Sequence, residues 1–162
     1  MKSWIKKLLI KINNFIKSDN NLEKKFLLIL IPIGILYLLF IIPYHVPDEA
    51  PHIIRAYEVY NGEFISSLNE DGKHRAIIPK DFIEINLSNL YNYDTLKNQL
   101  SKKTDYKINK EAYTEAQGYP GILYMISGLG MKIGQILNLN IVLSMYLARI
   151  FNFIFFVVLA YY

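Results

Sequence analysis

The sequence predicts an all-α membrane protein. Three membrane helices are expected, with an N-terminal interfacial amphipathic helix and a mixed, mainly helical external loop domain. Two observations carry this. Mean hydropathy is +0.18 although 20% of the residues are charged, which is high for a water-soluble domain. The apolar residues also fall in blocks. Residues 26–44, 116–131, 133–148 and 150–162 contain no Lys, Arg, Asp or Glu, and a membrane span needs about 20 mostly apolar residues. Spans are therefore expected at 26–44, 119–137 and 141–162, with a basic segment at 1–25 and a loop domain at 45–118.

Charge sets the expected orientation. Residues 1–25 hold seven lysines against two acids, whereas 44–119 hold nine basic and twelve acidic residues. A basic N-terminus beside a span points to anionic lipid and to a cytoplasmic N-terminus, not to nucleic acid. The expected location is the plasma membrane, with several passes. The chain has no cysteine. Disulfides, zinc-thiolate sites and thiol nucleophiles are therefore excluded.

Within the basic segment, Ile5, Leu8, Leu9, Ile12, Phe15 and Ile16 recur at helical spacing, opposite Lys2, Lys6, Lys7, Lys11 and Lys17. Such a helix lies in the membrane plane. Ser18-Asp19-Asn20-Asn21 should break it. The first span is longer than a signal-peptide core and lacks a small-residue cleavage site, so it reads as an uncleaved anchor, kinked at Pro32.

The loop should contain an amphipathic helix between Pro51 and Gly62, with Ile53, Ile54, Tyr57 and Tyr60 on one face. Phe64–Leu68 and His74–Ile78 should form a hairpin that turns at Asp71-Gly72. Helical segments follow at 80–86 and 93–100. The rest of 88–112 reads as a polar surface segment. Gly130 and Gly134 have the GxxxG spacing that lets another helix approach closely. Asn138-Leu139-Asn140 reads as a tight cytoplasmic turn. Arg149 lies about 12 Å into the third span at 1.5 Å per residue. No acid in the other spans can pair with it, which leaves a lipid headgroup, a backbone carbonyl or a missing helix as its partner. The GxxxG face and Arg149 together raise the expectation of a larger multispan protein, or of a partner membrane protein that supplies the missing helices.

The chemistry is expected at YHVPDEAPHIIR (44–55), directly after the first span. Asp48 and Glu49 stand at a helix start, where the dipole favours ionised carboxylates. Such groups serve as general bases or divalent-metal ligands. Asp48 is the candidate reactive group, and Glu49 the candidate capping or metal-tuning group. His45 and His52 could complete a metal site. Arg55, one turn after His52, either binds a phosphate or pairs with Asp48 or Glu49. Walker, dinucleotide and serine-nucleophile motifs are absent.

PDEAPHIIRAYEVYNGEF (47–64) resembles the start of the DUF2142 family of predicted bacterial membrane proteins. Ile78-Pro79-Lys80, Gly118-Tyr119-Pro120 and Tyr146-Leu147-Ala148-Arg149-Ile150-Phe151-Asn152 resemble its later landmarks in order. The arrangement of one span, an acidic motif outside it and a long first external loop also resembles the GT-C class of membrane glycosyltransferases. That resemblance implies transfer of a sugar from a polyprenyl-phosphate-linked donor onto cell-envelope glycans. Asp48 and Glu49 would be catalytic. His52, Arg55 and Arg149 would contact substrate. Mg or Mn could be held at Asp48 and Glu49, with no other cofactor. GT-C proteins have many more spans than three, so the resemblance implies the N-terminal part of a larger enzyme. The alternatives are a noncatalytic membrane protein that scaffolds or regulates a partner, and a transporter with Arg149 lining the substrate path.

Overall fold

The computed structural model describes residues 2–17, 22–68, 70–87, 92–113 and 115–162. The chain is mostly helical. Its elements run α1 (Lys2–Lys17), α2 (Leu22–Phe40), α3 (Glu49–Tyr60), β1 (Ser67–Leu68), β2 (His74–Pro79), α4 (Lys80–Leu87), α5 (Tyr93–Ser101) and β3 (Asn109–Ala112). Two 3-10 turns follow, Glu115–Gly118 and Gly121–Tyr124, and then α6 (Met125–Ile136) and α7 (Ile141–Tyr161). The break expected at 18–21 lies outside the described residues.

The basic helix forms as its periodicity predicts. Trp4, Ile5, Leu8 and Leu9 of α1 are all exposed, as a helix lying on a lipid surface requires. The helix after Pro51 and the hairpin are also present. Ser67 pairs with Arg75 and Leu68 with His74, and Gly72 takes φ 72 in the turn, a conformation that glycine adopts without steric cost. β3 was not expected. It pairs antiparallel with β2, Ala112 opposite Ala76 and Lys110 opposite Ile78, giving the order β1-β2-β3. Part of the segment read as polar surface is therefore an edge strand.

The three expected spans come out differently. Among the described residues one helix, α7, is long and apolar enough to cross a membrane. Its 21 residues reach about 32 Å at 1.5 Å per residue, which matches a hydrocarbon core of about 30 Å. The first expected span is helical only to Phe40, and Glu23, Lys24 and Lys25 fill the first turn of α2. Its uncharged helical stretch, Phe26 onward, covers about 22 Å. The second breaks into a 3-10 turn and the 12-residue α6, about 18 Å long. That is short of a crossing.

α6 is instead clasped on two sides. A Cβ on Gly128 would stand 2.7 Å from the Ala56 carbonyl oxygen of α3, and one on Gly130 2.7 Å from the Ala148 Cα of α7. Gly134 abuts Ser144 in the same way. The helix that uses the GxxxG spacing is therefore α7 of this chain. One core runs through α3, β2, α4, α6 and the first half of α7, from Ile53, Ala56 and Tyr57 through Ile78 and Phe82 to Val142 and Met145. Beyond Ala148 the character of α7 changes. Ile154, Phe155, Phe156, Val158 and Leu159 are exposed, and the helix packs against α2, with Gly34 against the Phe153 ring.

The turn read as cytoplasmic is bonded to the loop read as external. Asn140 Nδ2 donates to the Leu100 carbonyl at 2.5 Å, and the Ile141 amide to Thr104 Oγ1 at 2.8 Å. The Tyr106 hydroxyl donates to the Leu139 carbonyl at 2.9 Å and lies 2.8 Å from Ser144 Oγ. Groups joined in this way cannot lie on opposite sides of a bilayer.

Candidate functional site

The corner between α2 and α3 is built from two reversed backbone positions. Tyr44 has φ 69 and Asp48 φ 60. Aspartate tolerates the left-handed region, but for tyrosine it is strained and must be held by its surroundings. Glu49 Oε2 accepts the Tyr44 amide at 2.7 Å, and the Tyr44 hydroxyl donates to the Phe82 carbonyl at 3.2 Å. The corner is thus fastened to α3 and to α4.

Asp48 occupies the N-cap position of α3, yet its side chain makes no capping bond. It is exposed. Glu49 has a different environment. Arg149 Nε donates to its Oε1 at 2.5 Å, and Arg149 Nη2 to its Oε2 at 2.7 Å. Arg149 also donates to the carbonyls of Ile41 and Ile42. The two side chains are 9% and 11% exposed. Backbone carbonyls were among the expected partners of Arg149, but the acid was missed because it lies in the corner and not in a span.

His52 is exposed on the first turns of α3. Its Nδ1 lies 2.7 Å from the Tyr124 hydroxyl. Its ring stacks with Tyr119 and Tyr124, at centroid distances of 6.0 and 5.8 Å. His45 also stands in the corner. Burial holds its imidazole below the ordinary range, with Glu49 pulling the other way and Arg149 adding to the depression.

Arg55 has a buried environment instead. It is 1% exposed and pairs with Glu58 at 3.2 Å, not with Asp48 or Glu49. It also donates to the carbonyls of Glu63 at 2.9 Å, Phe64 at 2.7 Å and Tyr119 at 3.3 Å. Gln117 Nε2 donates to the other oxygen of Glu58 at 3.0 Å. Burial raises the Glu58 carboxyl above its usual range, against the bonds from Gln117 and Arg55. This buried network ties α3 to residues 63–64 and 117–119.

Two hollows share His52. One, of about 360 Å³, is lined by Asp48, Pro51, His52, Glu115, Ala116 and Tyr119. The other, of about 260 Å³, lies between Glu49, His52, Leu123, Tyr124, Arg149 and Asn152, among others. The structure brings Asp48 and His52 to one cleft and places Glu49 and Arg149 beside it. Glu115 joins Asp48 from a segment 67 residues downstream, and no motif in the sequence marks it.

The donor set does not fit a resident divalent cation. Both Glu49 oxygens already accept protein donors. Among the described residues no group of three His, Cys, Asp or Glu is placed to hold a metal. Magnesium takes near-octahedral oxygen coordination, toward which the cleft offers the carboxylates of Asp48 and Glu115.

A family model described as predicted membrane protein (DUF2142) matches residues 31–162. No curated protein and no solved structure matches.

Proposed function

We propose that this chain, which belongs to the DUF2142 family of predicted membrane proteins, carries the acceptor-side part of a GT-C-like glycosyltransferase site. Its donor is a sugar linked to polyprenyl phosphate. Its products are cell-envelope glycans on the outer face of a bacterial plasma membrane, with the N-terminus in the cytoplasm. The observation that carries the reading is the division of labour between adjacent carboxylates. Glu49 is neutralised by Arg149, whereas Asp48 faces an open cleft beside His52.

In this reaction Asp48 takes the proton of an acceptor hydroxyl as general base. The freed oxygen bonds to the anomeric carbon, and the carbon–oxygen bond to phosphate breaks. The electron pair leaves with the lipid phosphate. His52, oriented by Tyr124, bonds a neighbouring hydroxyl of the acceptor. Arg149 holds the corner through Glu49, and Arg55 holds the cleft wall at Tyr119, so both act on substrate through position. No step is routed through a metal.

The test is Asp48→Asn in the full-length protein, with glycan output as the readout. The expected result is a loss of 100-fold or more, about the 10²–10⁴-fold range of general-base catalysis. Output at the wild-type level removes Asp48 from the mechanism and favours the noncatalytic alternative, in which the same cleft holds a partner protein.

A further inference from the structure

We infer that the apolar stretch 119–137 does not cross the membrane but lies on its surface, and that α2, whose uncharged run continues past its helical end to Tyr44, crosses beside α7, so that the described residues from 45 to 140 occupy one face. The partner of the exposed apolar residues at its start is the lipid surface. Four observations meet here.

First, α6 is 12 residues long, too short to span. Second, its glycine face is buried against α3 and α7. Its polar groups also point into the loop domain. Lys132 Nζ donates to Asn61 Oδ1 at 3.0 Å, and Gln135 Nε2 to the Tyr57 hydroxyl at 3.4 Å. Third, the turn after α6 is bonded to Leu100, Thr104 and Tyr106, so it lies on the side of the loop. Fourth, α7 descends along α2 in the opposite sense. Arg149 meets Ile41 and Ile42, and Phe153, one turn on, meets Gly34.

The same geometry sets the depth of the start of the segment. Leu123 lines one hollow together with Ala148, Arg149 and Asn152. It therefore sits level with the exit of α2, where the apolar surface of both crossings begins. Ile122 and Leu123 are 65% and 70% exposed, and Met125 is 44% exposed. These three form an apolar shelf continuous with that surface. A shelf of this kind sinks a few ångströms into the boundary between headgroups and acyl chains. The hydropathy of 119–137 thus has two sources, a glycine-rich face inside the protein and a lipid-facing shelf.

The inference rests on the membrane reading above but not on any enzymatic activity, and the absence of native cysteine makes it directly testable. Single-cysteine forms Lys24→Cys, Lys97→Cys and Leu137→Cys of the full chain are placed in right-side-out membrane vesicles and exposed to a membrane-impermeant maleimide. Ile136→Cys serves as a second position should Leu137→Cys fold poorly. The expected result is labelling of positions 97 and 137 from the same face, and of position 24 only after permeabilisation. Labelling of 137 together with 24, or of 97 but not 137 from either face, overturns the inference. A bimane on Leu123→Cys, in vesicles of phosphatidylethanolamine and phosphatidylglycerol, should be quenched at least twofold by spin-labelled lipid. Absence of quenching overturns the shelf. Loss of the chain from the membrane fraction would instead overturn the membrane reading beneath it.

Discussion

Arg149 and Glu49, one hundred residues apart, form a two-point ion pair at 2.5 and 2.7 Å where the exit of α2 meets α7. Both side chains are nearly buried. Breaking such a pair from one side leaves a charge without its partner, which costs about 3–5 kcal/mol. Arg149→Met and Glu49→Leu should each lower unfolding stability in detergent by that order. The double variant should recover a large part of the loss, because no charge is then stranded. Additive losses in urea titrations would show that the two side chains act independently.

Gly130 faces the Ala148 backbone so closely that a Cβ would stand 2.7 Å from it. The neighbouring atoms are main chain and cannot rotate aside. Gly130→Ala should therefore cost about 1–3 kcal/mol, as overpacking does, although alanine favours helix. Gly62→Ala should also cost stability for a different reason. Nothing lies within 4 Å of a Cβ there, but its φ is +104. A thermal melt that ranks Gly130→Ala as neutral would contradict the close α6–α7 approach.

Arg55 reaches three carbonyls and Glu58 with one planar guanidinium. Lysine carries a single ammonium on a flexible stem and cannot reproduce that fork. Arg55→Lys should therefore destabilise the loop domain almost as much as Arg55→Met. It should also loosen the 61–64 and 115–119 segments, seen as faster amide exchange there. Protection at wild-type level in Arg55→Lys would show that charge alone suffices.

Two carboxylates should give stability slopes of opposite sign with pH. Glu84 bonds to Lys80 and Lys102, and its pKa falls from 4.5 to about 2. Its contribution is fully present above pH 4.5 and lost as pH falls toward 2. The difference between wild type and Glu84→Gln should therefore shrink across that window. Glu58 is raised by burial, so above pH 4.5 the folded state holds its proton longer than the unfolded chain does. Wild type should lose stability relative to Glu58→Gln as pH climbs through the raised value. Parallel pH–stability curves for wild type and both variants would refute these assignments.

The parts of the fold legible in the sequence were those set by local pattern. The lysine-backed stripe of α1, the Pro51–Gly62 punctuation around α3 and the Asp71-Gly72 turn each act over a few residues. What was illegible depended on distant partners. β3 reads Asn-Lys-Glu-Ala, with no alternation, and exists because its backbone meets β2 some thirty residues upstream. The hydropathy of 119–137 matched a span because burial in protein and burial in lipid select the same side chains. Within the candidate site, the sequence marks Asp48 and His52 only by their place at a helix start. The sequence leaves Arg149 a lipid headgroup, a backbone carbonyl or a missing helix, because its acid, Glu49, lies outside the spans, and Glu115 carries no signal at all.

α7 belongs to two environments at once, and this has a consequence for biogenesis. Ile141, Val142 and Met145 complete the core that α3 begins, yet about ninety residues separate them in synthesis. At translation rates of about 5–20 residues per second, α3 waits several seconds for α6, its principal helical neighbour, and longer for α7. During that interval its apolar face has no packing partner from α7. Membrane insertion of the lower half of α7 and closure of the domain core are then a single event. A helix that stalls during insertion leaves the domain open, and a domain that misfolds pulls on the membrane anchor.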